Sequence, residues 1–406
     1  MWNKTKPLLP SAVWALTLIV IIINVVEPSE ARHLFYFTSS LAVLFWLLDW
    51  KKPGKEEWGL LIVIAAYAFY RLGHTLLDAG TLVSPSDSQR VSISIAQRFM
   101  MGGVLATYLS INRRYFRSWW VYGTLFATLI FIAVYAGYSE FVLEETRQQR
   151  EQRATIFAYQ VVAIYLVFLG TAVERQDGNR KVLFLFVPFF LLALWVTVWT
   201  QTRAAIICLI LGSALLPLFS RRSLGKRLSI SVIFLVTALV IVLSSEQTQL
   251  RIDNARQDIA QYHSGENRAT SLGTRFELWQ AALFSFKSAP LLGPGYQQRS
   301  AIIDAEIHQG NLDPILDHYK KVSMHNELLE ELSLRGLVGG FLLLALYAYL
   351  LWLALRRKSL SLFALTFAYV FFGLTDCLFF CREATTLFFA LMALTLSYRK
   401  PAEQPQ

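Results

Sequence analysis

The chain has 406 residues, 55% of them hydrophobic and only 16% charged, with 38 Lys and Arg against 28 Asp and Glu for a formal charge of +10. That composition excludes an ordinary soluble domain, because the apolar residues come in long runs. The basic excess is not a nucleic-acid surface either, since no module of interleaved basic and aromatic residues accompanies it. The predicted class is an all-α integral membrane protein.

A helix of about 20 apolar residues crosses the hydrocarbon core with its own backbone satisfied. On that ruler about twelve spans are predicted, near 11–26, 34–48, 58–72, 91–111, 119–138, 156–173, 182–199, 204–219, 229–245, 337–355, 360–374 and 384–398. Several are short and require tilt or local thinning. With a cytoplasmic N-terminus, every second loop is rich in Lys and Arg. That inside set is Lys4 and Lys6; Lys51, Lys52 and Lys55; Arg113, Arg114 and Arg117; Arg175, Arg180 and Lys181; Arg221, Arg222, Lys226 and Arg227; Arg356, Arg357 and Lys358; Arg399 and Lys400. The intervening loops offer Arg32, Arg90, the mixed-charge stretch 144–153, Arg203 and Arg382. Both termini are therefore expected in the cytoplasm, with the first span a retained signal-anchor.

The domain plan that follows is nine helices over 1–245, a large outward loop over 246–336, and three helices with a short tail over 337–406. No internal repeat or broken midplane helix, as a transporter would use, is evident. Within the loop, 247–262 is expected to form a surface helix. From 275 to 286 the residues Phe276, Leu278, Trp279, Ala282, Leu283 and Phe286 recur at helical spacing and predict an amphipathic helix, stopped by Pro290, Gly293, Pro294 and Gly295. A helix is predicted to restart at His325 or just before it and run into the tenth span, where Gly336, Gly339 and Gly340 permit close helix approach. Cys208, Cys377 and Cys381 are read as buried thiols, with a disulfide between the last two as the alternative.

Arg203, after Thr200-Gln201-Thr202, falls in a short turn between two apolar spans. It is either an interfacial anchor or an anion site, since a guanidinium grips phosphate through two parallel hydrogen bonds. Arg275 opens the amphipathic helix, where a local ion pair with Glu277 is the plainer reading. His325 is a titratable base on the same side as both arginines. Two cations and a base are the parts needed to move a sugar off a pyrophosphate-linked lipid: the cations offset charge on the leaving group, and the base takes the proton of the attacking hydroxyl. Asp376 either orients an arginine or caps its turn. Arg71 and Arg98 lie inside spans, and Arg98 either pairs with an acid or lines a cavity. The stretch 144–153 reads as a solvated helix or an acceptor-binding loop. His33, His74 and His263 read as structural, while His308 and His318 stay open. Glu327, Glu330 and Glu331 follow His325, but no metal-ligand spacing such as HExxH is present, and neither metal nor cofactor is expected.

The Thr202-Arg203-Ala204-Ala205 segment, Arg275-Phe276-Glu277-Leu278-Trp279 with Gly293-Pro294-Gly295-Tyr296, and His325-Asn326-Glu327 leading to Gly336-Leu337-Val338-Gly339 together resemble the O-antigen ligase family of the bacterial inner membrane. The resemblance implies a GT-C-like fold and metal-independent, inverting transfer of a glycan at the periplasmic face. The donor it implies is O-antigen on undecaprenyl pyrophosphate and the acceptor a sugar of the lipid A core, in a membrane-lipid setting with no nucleic acid. It puts Arg203 and Arg275 on the pyrophosphate and makes His325 the base, with Asp376, Tyr296 and Asn326 in support. O-antigen polymerases and protein-directed oligosaccharyltransferases share these motifs. A polymerase often has two large outward loops where this chain has one, and a protein-directed enzyme often adds a soluble C-terminal region. A transporter is the reading from another class.

Overall fold

The computed structural model describes residues 8–78, 85–116, 118–141, 154–174, 181–219, 223–244, 246–319 and 323–397. The readings placed on Lys4, Lys6, Arg117, the 144–153 stretch, Arg175, Arg180, Arg221, Arg222, Arg399 and Lys400 lie outside the described residues. The helices in chain order are α1 Leu8–Val26, α2 Pro28–Leu48, α3 Lys55–Leu77, α4 Asp87–Ile111, α5 Ser118–Phe141, α6 Ala154–Glu174, α7 Lys181–Trp199, α8 Arg203–Leu215 and α9 Leu224–Ser244. They continue as α10 Glu246–Ser264, α11 Ser271–Ser288, α12 Gly295–His308, α13 Leu316–Tyr319, α14 Glu327–Arg356, α15 Leu360–Gly373 and α16 Arg382–Ser397. No strand occurs among the described residues.

A helix lies over each apolar segment read from the sequence. By length and composition α1, α2, α3, α6, α14 and the 120–139 part of α5 can cross a bilayer, and three shorter apolar helices stand beside them. At the centre lie α6 and α16, α6 buried over nearly its whole length and α16 buried throughout residues 384–397. Around α16 pack α1, α2, α4, α6 and α15, and around α6 pack α5, α7, α8 and α15. The exposed faces of α5 and α9 carry Ile130, Val134, Leu228, Val232, Val236 and Val240, as a lipid-facing surface would.

One end of this body is a charge clasp. Arg356 and Arg357 bond both oxygens of Glu56 at 2.8 Å, and Arg357 reaches Ser110 at 2.9 Å. The other end carries the polar loop. There α11 is capped by Thr270, whose hydroxyl accepts from the Gly273 N–H at 3.1 Å. The buried face of α11 joins Leu278, Ala281 and Ala282 to Ile303, Leu312, Leu316 and Met324 in a second, smaller core. This lobe packs on α14 through α11 and α12.

The long helix α14 is broken at Gly336, where φ is +61° and ψ is −158°, a combination essentially restricted to glycine. The sequence reading assigned this glycine only close approach and found no broken helix. The break frees the N–H groups of Leu337 and Val338, which donate to the carbonyls of Pro290 and Leu291 at 2.8 and 3.2 Å. A Cβ on Gly336 would stand 2.6 Å from that loop, and one on Gly293 would stand 2.2 Å from the Leu334 carbonyl. Loop and break are thus in backbone contact, and the first segment of α14, 327–335, is a buried, polar half-helix.

Candidate active site

The half-helix starts from a strained corner. His325 has φ +49°, in the left-handed region that non-glycine residues rarely enter. Asn326 then caps α14, its side-chain oxygen accepting from the Leu329 N–H at 3.0 Å. The sequence puts His325 on the helix, with the start at His325 or just before it; the helix begins at Glu327 with Asn326 as its cap, which leaves His325 outside it.

That turn aims His325 at the segment joining α15 to α16. Its Nδ1 lies 3.4 Å from Asp376 Oδ1, with side chains 29% and 17% exposed, so both are reachable from outside. The separation is one that becomes an ion pair whenever the imidazole is protonated to its cation, and Nδ1 forms no aligned hydrogen bond. Asp376 accepts from the Cys377 N–H at 2.9 Å. Burial pushes its carboxyl up, but contact with His325, the Cys377 N–H and the Arg275 charge outweigh burial and hold it below the ordinary aspartate value. Of the two alternatives left open for Asp376, it caps its turn through the Cys377 N–H and acts on Arg275 only through its field; the group it faces directly is the His325 imidazole, which neither alternative named.

Arg275, half-buried on α11, lies within electrostatic reach of both Asp376 and Tyr159. The local ion pair with Glu277 is not formed among the described residues. Instead the Glu277 carboxylate accepts from Tyr262 OH at 3.1 Å and the Asp313 N–H at 2.8 Å, with Arg268 at 3.5 Å. Arg203 is placed by its helix. α6 and α8 run parallel, with Gly212 against Leu166 and Cys208 near Tyr159. α15 runs antiparallel to them, with Leu360 against Gly170 and Phe372 stacked on Tyr159 at 4.3 Å. The start of α8 and the end of α15 therefore share one end of the body. Arg203, first residue of α8, stands at the end that holds Asp376, about 13 Å along α8 from Gly212. Its turn is strained as well, with Gln201 at φ +52°.

Tyr296 is elsewhere. Its hydroxyl accepts from Arg335 Nη2 at 3.2 Å, and its N–H donates to Asp78 at 2.9 Å. It belongs to a buried ionic network in which Glu331 Oε1 takes Arg335 at 2.9 Å, Arg71 at 3.2 Å and Tyr67 OH at 2.9 Å. Ser92 accepts from Arg335 at 2.8 Å, and Arg299 meets Glu330 at 3.1 Å. Sequence reasoning missed this network apart from Arg71. The three glutamates at 327, 330 and 331 and Arg335, all in a segment running into an apolar span, are the signal that could have shown it. Tyr159, in an apolar run, carried none. Arg98 is held by Thr386 Oγ1 at 3.0 Å, the Ser94 carbonyl at 3.1 Å and Tyr36 OH at 3.2 Å, so neutral oxygens hold it. All three cysteines are free thiols. Among the described residues, no three His, Cys, Asp or Glu side chains gather as metal ligands would.

An all-helical membrane protein with a His–Asp contact and an arginine at one end of its helices is the class that fold and site define. The O-antigen ligase family model matches residues 188–344, which hold Arg203, Arg275, Tyr296 and His325. An O-antigen ligase of Escherichia coli (strain K12) is 28% identical over 276 residues, 67% of this chain and 65% of that protein. A protein of Haemophilus influenzae (strain ATCC 51907 / DSM 11121 / KW20 / Rd), described as uncharacterized, is 29% identical over 163 residues, 39% of this chain and 40% of its own. The chain thus aligns with less than two thirds of the length of either relative. The family match and the Escherichia coli relative support the O-antigen ligase family for this chain.

Proposed function

We propose that the chain is an O-antigen ligase that transfers O-antigen glycan from undecaprenyl pyrophosphate to a sugar hydroxyl of the lipid A core, at the periplasmic face of the bacterial inner membrane. The observation that carries this reading is the contact of His325 Nδ1 with Asp376 Oδ1 at 3.4 Å, with the Arg275 charge acting on the same carboxylate; His325 and Arg275 fall within the family-matched residues 188–344, and Asp376 lies beyond them.

In this mechanism the acceptor oxygen attacks the anomeric carbon and the bond to the pyrophosphate oxygen breaks, with inversion. Undecaprenyl pyrophosphate leaves with the electron pair. Asp376 orients the imidazole through Nδ1 and stabilises its cation, so Nε2 takes the acceptor proton. Arg203 and Arg275 hold the pyrophosphate, and their charge counts for more in a site partly shielded from water.

The test is purified protein in detergent or liposomes with lipid-linked glycan and lipid A core. Glycan on the core supports the ligase. Longer lipid-linked glycan with an unmodified core would reassign the chain as a polymerase.

A further inference from the structure

Among the buried carboxylates the proposed mechanism does not use is Glu327. Glu327 is the first residue of α14 and 2% exposed, yet its Oε2 accepts from the Phe379 N–H at 3.0 Å. Its two predecessors reach the same segment. Asn326 Nδ2 donates to the Leu374 carbonyl at 3.1 Å, and His325 meets Asp376. Three consecutive side chains thus grip residues 374–379 near its start, middle and end. Apart from a single 3-10 turn, Leu378–Phe380, that segment has no regular structure of its own. Gly373 lies so close that a Cβ there would stand 3.2 Å from the Glu327 Cβ. The gripped end is also stiff, because the Phe379 ring packs edge-on to Phe99 at 4.9 Å and Phe388 at 5.1 Å.

We infer that Glu327 is a positioning residue: by accepting from the Phe379 N–H it fixes the 374–380 turn against the start of α14, and so keeps Asp376 facing His325. This rests on the ligase reading for what His325 and Asp376 do. Glu327 itself touches neither glycan nor pyrophosphate and carries no proton in the cycle. What it supplies is an acceptor oxygen at a fixed reach, since a buried N–H left without a partner would drive the turn to rearrange.

Acceptor position and acid character separate in two substitutions. Glu327→Gln keeps an oxygen at the same reach but cannot ionise, whereas Glu327→Asp keeps the acid and withdraws it by one methylene. The full chain is purified, and transfer from lipid-linked glycan to lipid A core is followed across pH, with rates scaled to folded protein by its melting transition. Glu327→Asp should lower kcat by about 100-fold, the effect of a displacement near 1 Å, with donor KM little changed. Glu327→Gln should recover most of kcat with the wild-type pH profile. The inference is overturned if Asp works and Gln does not, which would make Glu327 a proton carrier, or if both keep wild-type kcat. It is also overturned if each loss only follows the unfolded fraction. His325→Ala, run alongside, separates the two ideas: full transfer by that variant sinks the ligase mechanism, whatever Glu327 does.

Discussion

Asp376 stands 3.4 Å from Nδ1 of His325 although the two belong to different elements, one ahead of α14 and one beyond α15. Asp376→Asn keeps the side chain's size and its acceptor for the Cys377 N–H, but removes the charge facing the imidazole. Transfer should fall about 100- to 1000-fold while protein level in membranes holds. Normal glycan attachment by this variant would leave Asp376 a turn cap.

Acid stability should depend on the same carboxylate. Its value in the folded chain is depressed, so the unfolded state binds the proton more readily and stability rises with pH between the two values. The contribution is complete well above the ordinary aspartate value of about 3.9 and is lost as pH falls through the folded value. Melting temperature followed from pH 7 to pH 3 should decline more in the wild type than in Asp376→Asn. Parallel curves would count against the depression.

Arg275→Ala should cost about 100- to 1000-fold in transfer rate, because it removes positive charge on the Asp376 side of the site. Arg203→Lys should fail as well, since an ammonium does not replace the two-pronged guanidinium contact with phosphate. Rates with purified protein and lipid-linked glycan decide both. An active Arg203→Lys would return Arg203 to the role of interfacial anchor.

Glu331 Oε1 serves both Arg71 and Arg335, each 1% exposed. Glu331→Gln keeps an acceptor oxygen but removes the negative charge that two buried guanidinium groups share, at a cost of about 3–5 kcal/mol. The expected outcome is loss of folded protein in membranes, read by immunoblot and by melting of whatever can be purified. Unaltered accumulation would mean that Glu330 or water takes over.

Gly336→Ala should also destabilise, by about 1–3 kcal/mol for the backbone region alone and more for the 2.6 Å approach to Pro290 and Leu291. Thermal unfolding of the variant against wild type measures it. Gly340→Ala, within the continuing helix, should be milder.

How much of this was legible in the chain differs by level. Apolar runs of about 20 residues suffice to place helices over the predicted segments, because a bilayer leaves the backbone few other choices. The helix over 275–286 was readable from its period, and α11 buries Leu278 and Ala282 of the residues named for it. His325, Arg203 and Arg275 stood out by chemistry and order. The break at Gly336 was hidden because Leu337 and Val338 continue the apolar pattern unbroken, and only the Pro290 and Leu291 carbonyls reveal it. Tyr296 was grouped with His325 by motif order, yet three-dimensional packing assigns its hydroxyl to Arg335. Glu331, Arg71 and Arg335 meet across elements distant in sequence, and no local pattern encodes that.

The hydrogen bonds from Leu337 and Val338 to Pro290 and Leu291 also bear on how the molecule can be made. The part of α14 just past its break has its backbone completed by a loop synthesised before it, so this helix and the polar lobe complete each other's scaffold. Severing the chain between lobe and span would yield two fragments that each lack part of the other's scaffold, not a soluble module and a membrane stump.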